Sequence, residues 1–269
     1  MTPRYARIIL AGFFSMLLPA ALAFGFANGP VRNVTDLSPT CSDCHSSLQR
    51  ETLRELPRPV ADAYMVENMH YKAIEEGERA YRDMSPQDRA RLLQDVKAMD
   101  AAASVALTAP ASARPGQEIT VTVTAKGGSG PVVGLFLLDT PSRFQSRTPA
   151  SDGWFIVGAP KVWGPDGKEQ TQWVDSRAEG LKKNLNLVVV YGVRSDLEKK
   201  EFSESKATWT LRAPREPGTY TLAAAFNYGT EKASQVGRVE RAGSVLPRGG
   251  GLGSSGRILF SRPVTITVR

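Results

Sequence analysis

The chain has 269 residues, 41% hydrophobic and 23% charged, with Gly 24, Pro 18 and Cys 2. That length admits one large domain or two small ones, and the composition excludes a disordered chain, a polytopic membrane protein and a disulfide-rich scaffold. The net charge of +7 is unevenly spread: 10 Lys/Arg stand against 13 Asp/Glu over residues 28–103, and 22 against 14 over residues 104–269. The basic residues of the second part are scattered and not interleaved with aromatics, which fits a solvated surface and argues against a nucleic-acid partner.

The first segment is an address. Arg4 and Arg7 form a positive start, Ile8 to Leu18 is an unbroken apolar or small run, Pro19 breaks it, and Ala21-Leu22-Ala23 is a small-x-small cleavage site. Residues 1–23 therefore read as a signal peptide, which places the mature protein in the periplasm or otherwise outside the cytoplasm. The alternative is an uncleaved anchor, because Ile8 to Ala27 is about 20 residues of largely apolar chain. No later apolar run approaches spanning length, so the mature chain has no membrane span unless this segment stays.

One motif carries chemistry. Cys41-Ser42-Asp43-Cys44-His45 is the C-x-x-C-H attachment signature of a c-type haem. Two thiols two residues apart reach the two vinyl groups of one porphyrin as thioethers, and the adjacent imidazole of His45 is held under the iron. These are the only cysteines, and they follow the export signal by about twenty residues, in a compartment where such haems are attached. Three other readings of the pair are a structural Cys41–Cys44 disulfide, a dithiol redox site, and half of a zinc site with His45 and His70. The redox dithiol lacks its usual strand-to-helix βαβ setting, and the zinc site lacks a second half.

Beyond the motif the pattern is helical. Val60, Ala63, Tyr64, Glu67, His70, Tyr71 and Ile74 recur at three- and four-residue spacing, which predicts a helix starting at Pro57 and Pro59. Ser85-Pro86-Gln87-Asp88 is a helix start, with Ser as cap, Pro at the first position and an acid at the third. Leu92, Leu93, Val96 and Met99 then form one apolar stripe, predicting a second helix from 86 to about 100. Within this part His70 is the candidate for the far side of a haem, since the chain has only two histidines. Met84, in a loop before a capped helix, is the rival, with Met65, Met69, Met99 or an open position as further possibilities. Two histidines on the iron imply a lower potential than His and Met.

From residue 103 the period changes from 3.6 to 2. Ser104–Thr108, Glu118–Thr124, Pro131–Leu138, Trp154–Val157, Leu185–Tyr191, Ala207–Leu211, Thr219–Phe226, Ile258–Ser261 and Val264–Val268 read as strands separated by Pro-Gly turns. With no helical periods between them they predict an antiparallel β-sandwich. Thr140 to Lys183, which holds Trp154, Trp163 and Trp173, is expected to be an elaborated loop region at one end. Gly249 to Gly256 lacks the Lys-Ser/Thr of a phosphate loop and reads as a hairpin loop. No Ser/His/Asp set can be assembled, which argues against hydrolase chemistry and against an enzyme.

On residues 41–45 the chain resembles a monohaem c-type cytochrome. Pro217-Gly218-Thr219-Tyr220-Thr221-Leu222 resembles the start of a late strand in immunoglobulin-like domains, where a Tyr pins the corner through a backbone hydrogen bond. Arg114-Pro115-Gly116, Ala207-Thr208-Trp209-Thr210 and the order of parts resemble the Reeler-like and immunoglobulin-like domains that follow a C-x-x-C-H segment in some exported bacterial proteins. The expected fold is α+β multidomain: residues 24–102 a small helical cytochrome c-like haem unit, residues 103–269 an antiparallel β-sandwich. The resemblance implies one covalent haem c held by Cys41, Cys44 and His45, one-electron transfer to redox partner proteins, and the sandwich as docking module. A haem-based sensor, a ligand-binding or adhesion sandwich, and a non-haem domain with a Cys41–Cys44 disulfide are the alternatives.

Overall fold

Period-two alternation is visible directly in the strands. The computed structural model describes residues 64–130, 132–141, 146–241, 243–248 and 256–269. The signal segment, the cysteine motif, the start of the first expected helix and the 249–255 glycine run lie outside the described residues. β3 (Glu118–Lys126) turns Ile119, Val121, Val123 and Ala125 inward, and β7 (Glu204–Arg212) turns in Ser205, Ala207, Trp209 and Leu211. The two pair antiparallel with Val121 opposite Trp209. β1 (Ser104–Thr108) joins the other edge of β3, and β5 (Phe155–Trp163) joins β7, giving the sheet β1-β3-β7-β5.

The second sheet runs β2-β12-β8-β4-β6, built from β2 (Ser112–Ala113), β4 (Val132–Leu138), β6 (Leu187–Tyr191), β8 (Gly218–Gly229) and β12 (Val264–Val268). β11 (Gly256–Phe260) pairs the far half of β8, on the edge that β12 shares. Between them Ser261 Oγ accepts the Ala224 amide at 2.9 Å, filling the break in that edge. β9 (Arg238–Arg241) and β10 (Ser244–Pro247) form a separate hairpin. Pairing is antiparallel except between β2 and β12. The four-stranded sheet and the sheet with β12, β8 and β4 at its centre share one apolar core, a β-sandwich-like arrangement. The Tyr220 hydroxyl donates to the Glu216 carbonyl at 2.8 Å, the corner bond expected from Pro217-Gly218-Thr219-Tyr220. The Trp209 indole donates across to the Leu185 carbonyl at 2.8 Å, tying β7 to the chain entering β6.

The expectation of a separate helical cytochrome c-like unit in an α+β multidomain chain is corrected. Among the described residues the fold is β-sandwich-like, with three short α-helices: α1 (Lys72–Glu76), α2 (Pro86–Ala102) and α3 (Gln172–Asp175). α1 and α2 enclose only a small cluster, Tyr71, Ala73, Ile74, Tyr81, Met84, Leu92 and Val96, and the sandwich's Val236 packs on it. Met99 at the end of α2 sits in the sandwich core itself. The described helices thus share their packing with the sandwich, through Val236 on their own cluster and Met99 in the sandwich core. The first expected helix also differs in winding. Tyr64–Tyr71 is a π-helix, followed by the single turn of α1, which Gly77 ends at φ 71°. His70 and Tyr71, at the end of the π-helix, are both buried.

The Ser85 cap stands as read: its Oγ accepts the Asp88 amide at 3.1 Å, with Pro86 as the first residue of α2. The stretch from Thr140 to Lys183 is more than a loop region. It contributes β5, which runs past a bulge between Val157 and Lys161, and α3, which sends Trp173 and Val174 into the core. No helix among the described residues is long and apolar enough to cross a membrane. Gly237 allows α2 to approach the sandwich, because a Cβ there would lie 2.2 Å from the Glu231 carbonyl and 2.9 Å from the Leu92 side chain. Gly237→Ala is therefore expected to destabilise the protein by about 2 kcal/mol through overpacking. Denaturant unfolding checks this; wild-type stability in the variant would show that α2 does not rest on this loop.

Candidate functional site

The π-helix and the loop after β8 meet at a buried carboxylate. Glu231 opens a short 3-10 turn, Glu231–Ala233, and is completely buried. Three donors from separate segments surround it. The Tyr81 hydroxyl donates to Oε1 at 2.7 Å, the Thr230 hydroxyl donates to Oε2 at 2.8 Å, and His70 Nε2 contacts Oε1. Burial by itself would raise the Glu231 carboxyl, but His70 and the hydroxyl hydrogen bonds outweigh it and hold it below the ordinary carboxylate range. Burial and the Glu231 charge together push the Tyr81 phenol far up, so it remains a donor.

His70 is 1% exposed. Its ring lies 6.2 Å from that of Tyr71 and 6.4 Å from that of Tyr81. Nδ1 is buried and, among the described residues, has no hydrogen-bond partner. An unmet polar atom in such a site costs about 1–3 kcal/mol, so a histidine held this way invites a further partner.

A second carboxylate, half-buried, stands beside the first. Asp100, near the end of α2, receives the Tyr71 hydroxyl at 2.7 Å, the Tyr228 hydroxyl at 2.9 Å, and Arg257 Nε at 3.0 and 3.1 Å from its two oxygens. Arg257, on β11, is 7% exposed and lies with its guanidinium carbon 5.4 Å from the centre of the Tyr71 ring. Burial lowers its pKa, and the charges of Asp100 and Glu231 more than restore it. The two clusters are thus neighbours: Tyr71 follows His70 in the chain, and the Arg257 charge acts on Glu231's partner Tyr81.

Of the residues singled out from sequence, His70 is the one placed in this polar site. Met84 is buried in the adjoining apolar cluster with Ile74, Tyr81 and Leu92. Met99 belongs to the sandwich core, which leaves its sulfur packed among apolar neighbours. Cys41, Cys44 and His45, and the side chains of Met65 and Met69, lie outside the described residues. Glu231, Asp100, Tyr81 and Arg257 were not visible as site residues in the sequence. Glu231 is 161 positions from His70, and no local spacing links them.

Chemically, one imidazole with one carboxylate is too few ligands for a metal ion by itself, and among the described residues no three His, Cys, Asp or Glu side chains gather as such a site. What the arrangement does provide is a histidine fixed in direction by a carboxylate, as in metal proteins where the second ring nitrogen of a ligand is so held. Comparison with known proteins adds no relative: no family model matches the chain, and no curated protein matches it.

The Asp100–Arg257 pair has a direct stability consequence. Asp100→Ala leaves a buried guanidinium and two phenols without their acceptor, and is expected to cost about 3–5 kcal/mol. Chemical denaturation checks the loss; a change below that of an exposed ion pair would mean that solvent already reaches Arg257.

Proposed function

We propose that the protein is an exported c-type haem protein that passes single electrons between partner proteins, with the β-sandwich as its docking module. The observation that carries the reading is His70, a buried histidine with a ring nitrogen unpartnered among the described residues, in a chain whose only other histidine closes Cys41-Ser42-Asp43-Cys44-His45. Cys41 and Cys44 would hold the haem through thioethers and His45 would take one side of the iron. The donor chemistry of His70 fits the opposite side, with Met84 as the alternative. A haem bound there supplies a one-electron ferric/ferrous couple.

The chain's own residues set the conditions for that couple. Burial of His70, Tyr71 and Tyr81 keeps water from the imidazole. Glu231, Tyr81 and Thr230 fix the ring's orientation, so little rearrangement accompanies a change in charge nearby. The charge difference between the two parts of the chain, acidic before residue 104 and basic after it, suits the steering of two different partners.

The direct test is an optical spectrum, oxidised and reduced, of protein exported in a host with haem-attachment machinery, with haem staining on a denaturing gel. A stained band that shows sharp reduced α and β bands and is lost in the Cys41→Ala, Cys44→Ala double variant is the expected result. An unstained, colourless protein contradicts the reading, and carbon monoxide binding to the reduced form would point instead to an open sensor site. For the docking role, Lys199→Glu with Lys200→Glu is expected to slow reduction by an acidic partner and flatten its salt dependence. An unchanged rate and salt response would remove the sandwich from docking.

A further inference from the structure

The tautomer of His70 follows from the groups around Glu231. Two hydroxyls, of Tyr81 and Thr230, donate to the two carboxylate oxygens, so both oxygens act as acceptors. The remaining contact, from His70 Nε2 to Oε1, is then an N–H donated by the imidazole. In the neutral ring, a proton on Nε2 leaves the lone pair on Nδ1, the atom that is buried and unpartnered among the described residues. Every element around the pair serves this arrangement: the π-helix supplies His70, the 3-10 turn Arg79–Tyr81 supplies Tyr81, and the loop after β8 supplies Thr230 and Glu231.

We infer that His70 ligates through Nδ1 and that Glu231 is its positioning residue, acting on the iron through the imidazole. This rests on the proposed reading of Cys41, Cys44 and His45 as a haem site. A carboxylate accepting the other ring N–H both orients a ligating histidine and raises its basicity. A more basic ligand favours the ferric over the ferrous state. Tyr81 acts in the opposite sense, because its hydroxyl draws on the same carboxylate oxygen that accepts from His70. Arg257, whose charge also reaches Glu231's surroundings, stays bound to Asp100 and is common to all variants compared.

The sign of the effect separates positioning from mere structural support. In the exported holoprotein, Glu231→Gln keeps the size of the side chain and removes its charge. It is expected to shift the ferric/ferrous equilibrium about tenfold toward ferrous, a rise of about 59 mV for one electron. Tyr81→Phe leaves the carboxylate a stronger acceptor for Nε2–H and is expected to move the potential downward. A simple loosening of the site would move both variants the same way. His70→Ala is expected to lose the low-spin spectrum, whereas Met84→Leu is expected to keep it.

Redox titration followed in the reduced absorption bands reads all four variants. Equal or same-signed shifts in Glu231→Gln and Tyr81→Phe overturn the positioning role while leaving a stained haem protein intact. A low-spin spectrum that survives His70→Ala and is lost in Met84→Leu overturns the ligation and also leaves the haem reading standing. Absence of covalent haem in the wild type overturns the underlying reading, and this inference with it.

Discussion

A carboxylate can be fully buried only where donors meet its oxygens, and that requirement shapes the join between the helices and the sandwich. Glu231, fully buried, is met by His70, Tyr81 and Thr230; Asp100, half-buried, is met by Tyr71, Tyr228 and Arg257. Each set draws on both sides of the join, so neither carboxylate is satisfied unless the two parts are together. Nonpolar packing contributes here through Val236 and Gly237 against α2 and through Met99 in the sandwich core, but it has little directional preference. The polar pairs set the direction. They explain why the described helices behave as an outgrowth of the β-sandwich and not as an independent unit.

The same requirement links fold to chemistry. Holding a histidine by one ring nitrogen leaves the other unmet among the described residues, an atom whose cost a ligand would offset. His70 and Tyr71, adjacent at the end of the π-helix Tyr64–Tyr71, reach the two different carboxylates, Glu231 and Asp100. A local departure from regular helix thus coincides with the residues that the functional reading needs.

Much of the sandwich was legible because its signals are local. Alternation in Glu118–Thr124, the Pro-Gly turns and the Tyr220 corner each act within a few residues, and all reappear in the structure. The Ser85-Pro86 helix start was legible for the same reason. β9, β10 and the two-residue β2 escaped notice, being short and only partly apolar. The helical part was misjudged because apolar spacing gives the number of inward residues but not what they face. Ile74 packs inside the helices' own cluster, whereas His70 and Tyr71 also reach Glu231 and Arg257, which lie far along the chain. No spacing rule could have joined His70 to Glu231 or Asp100 to Arg257.

The central claim is that Cys41 and Cys44 carry a covalent haem for which His70 is held ready. Intact mass spectrometry of the exported protein, unfolded and freed of any non-covalent ligand, tests it most directly. The account predicts a mass one haem above that of the chain, retained after unfolding and absent when both cysteines are replaced. A mass equal to the chain alone, or lighter by the two hydrogens of a Cys41–Cys44 disulfide, would contradict it.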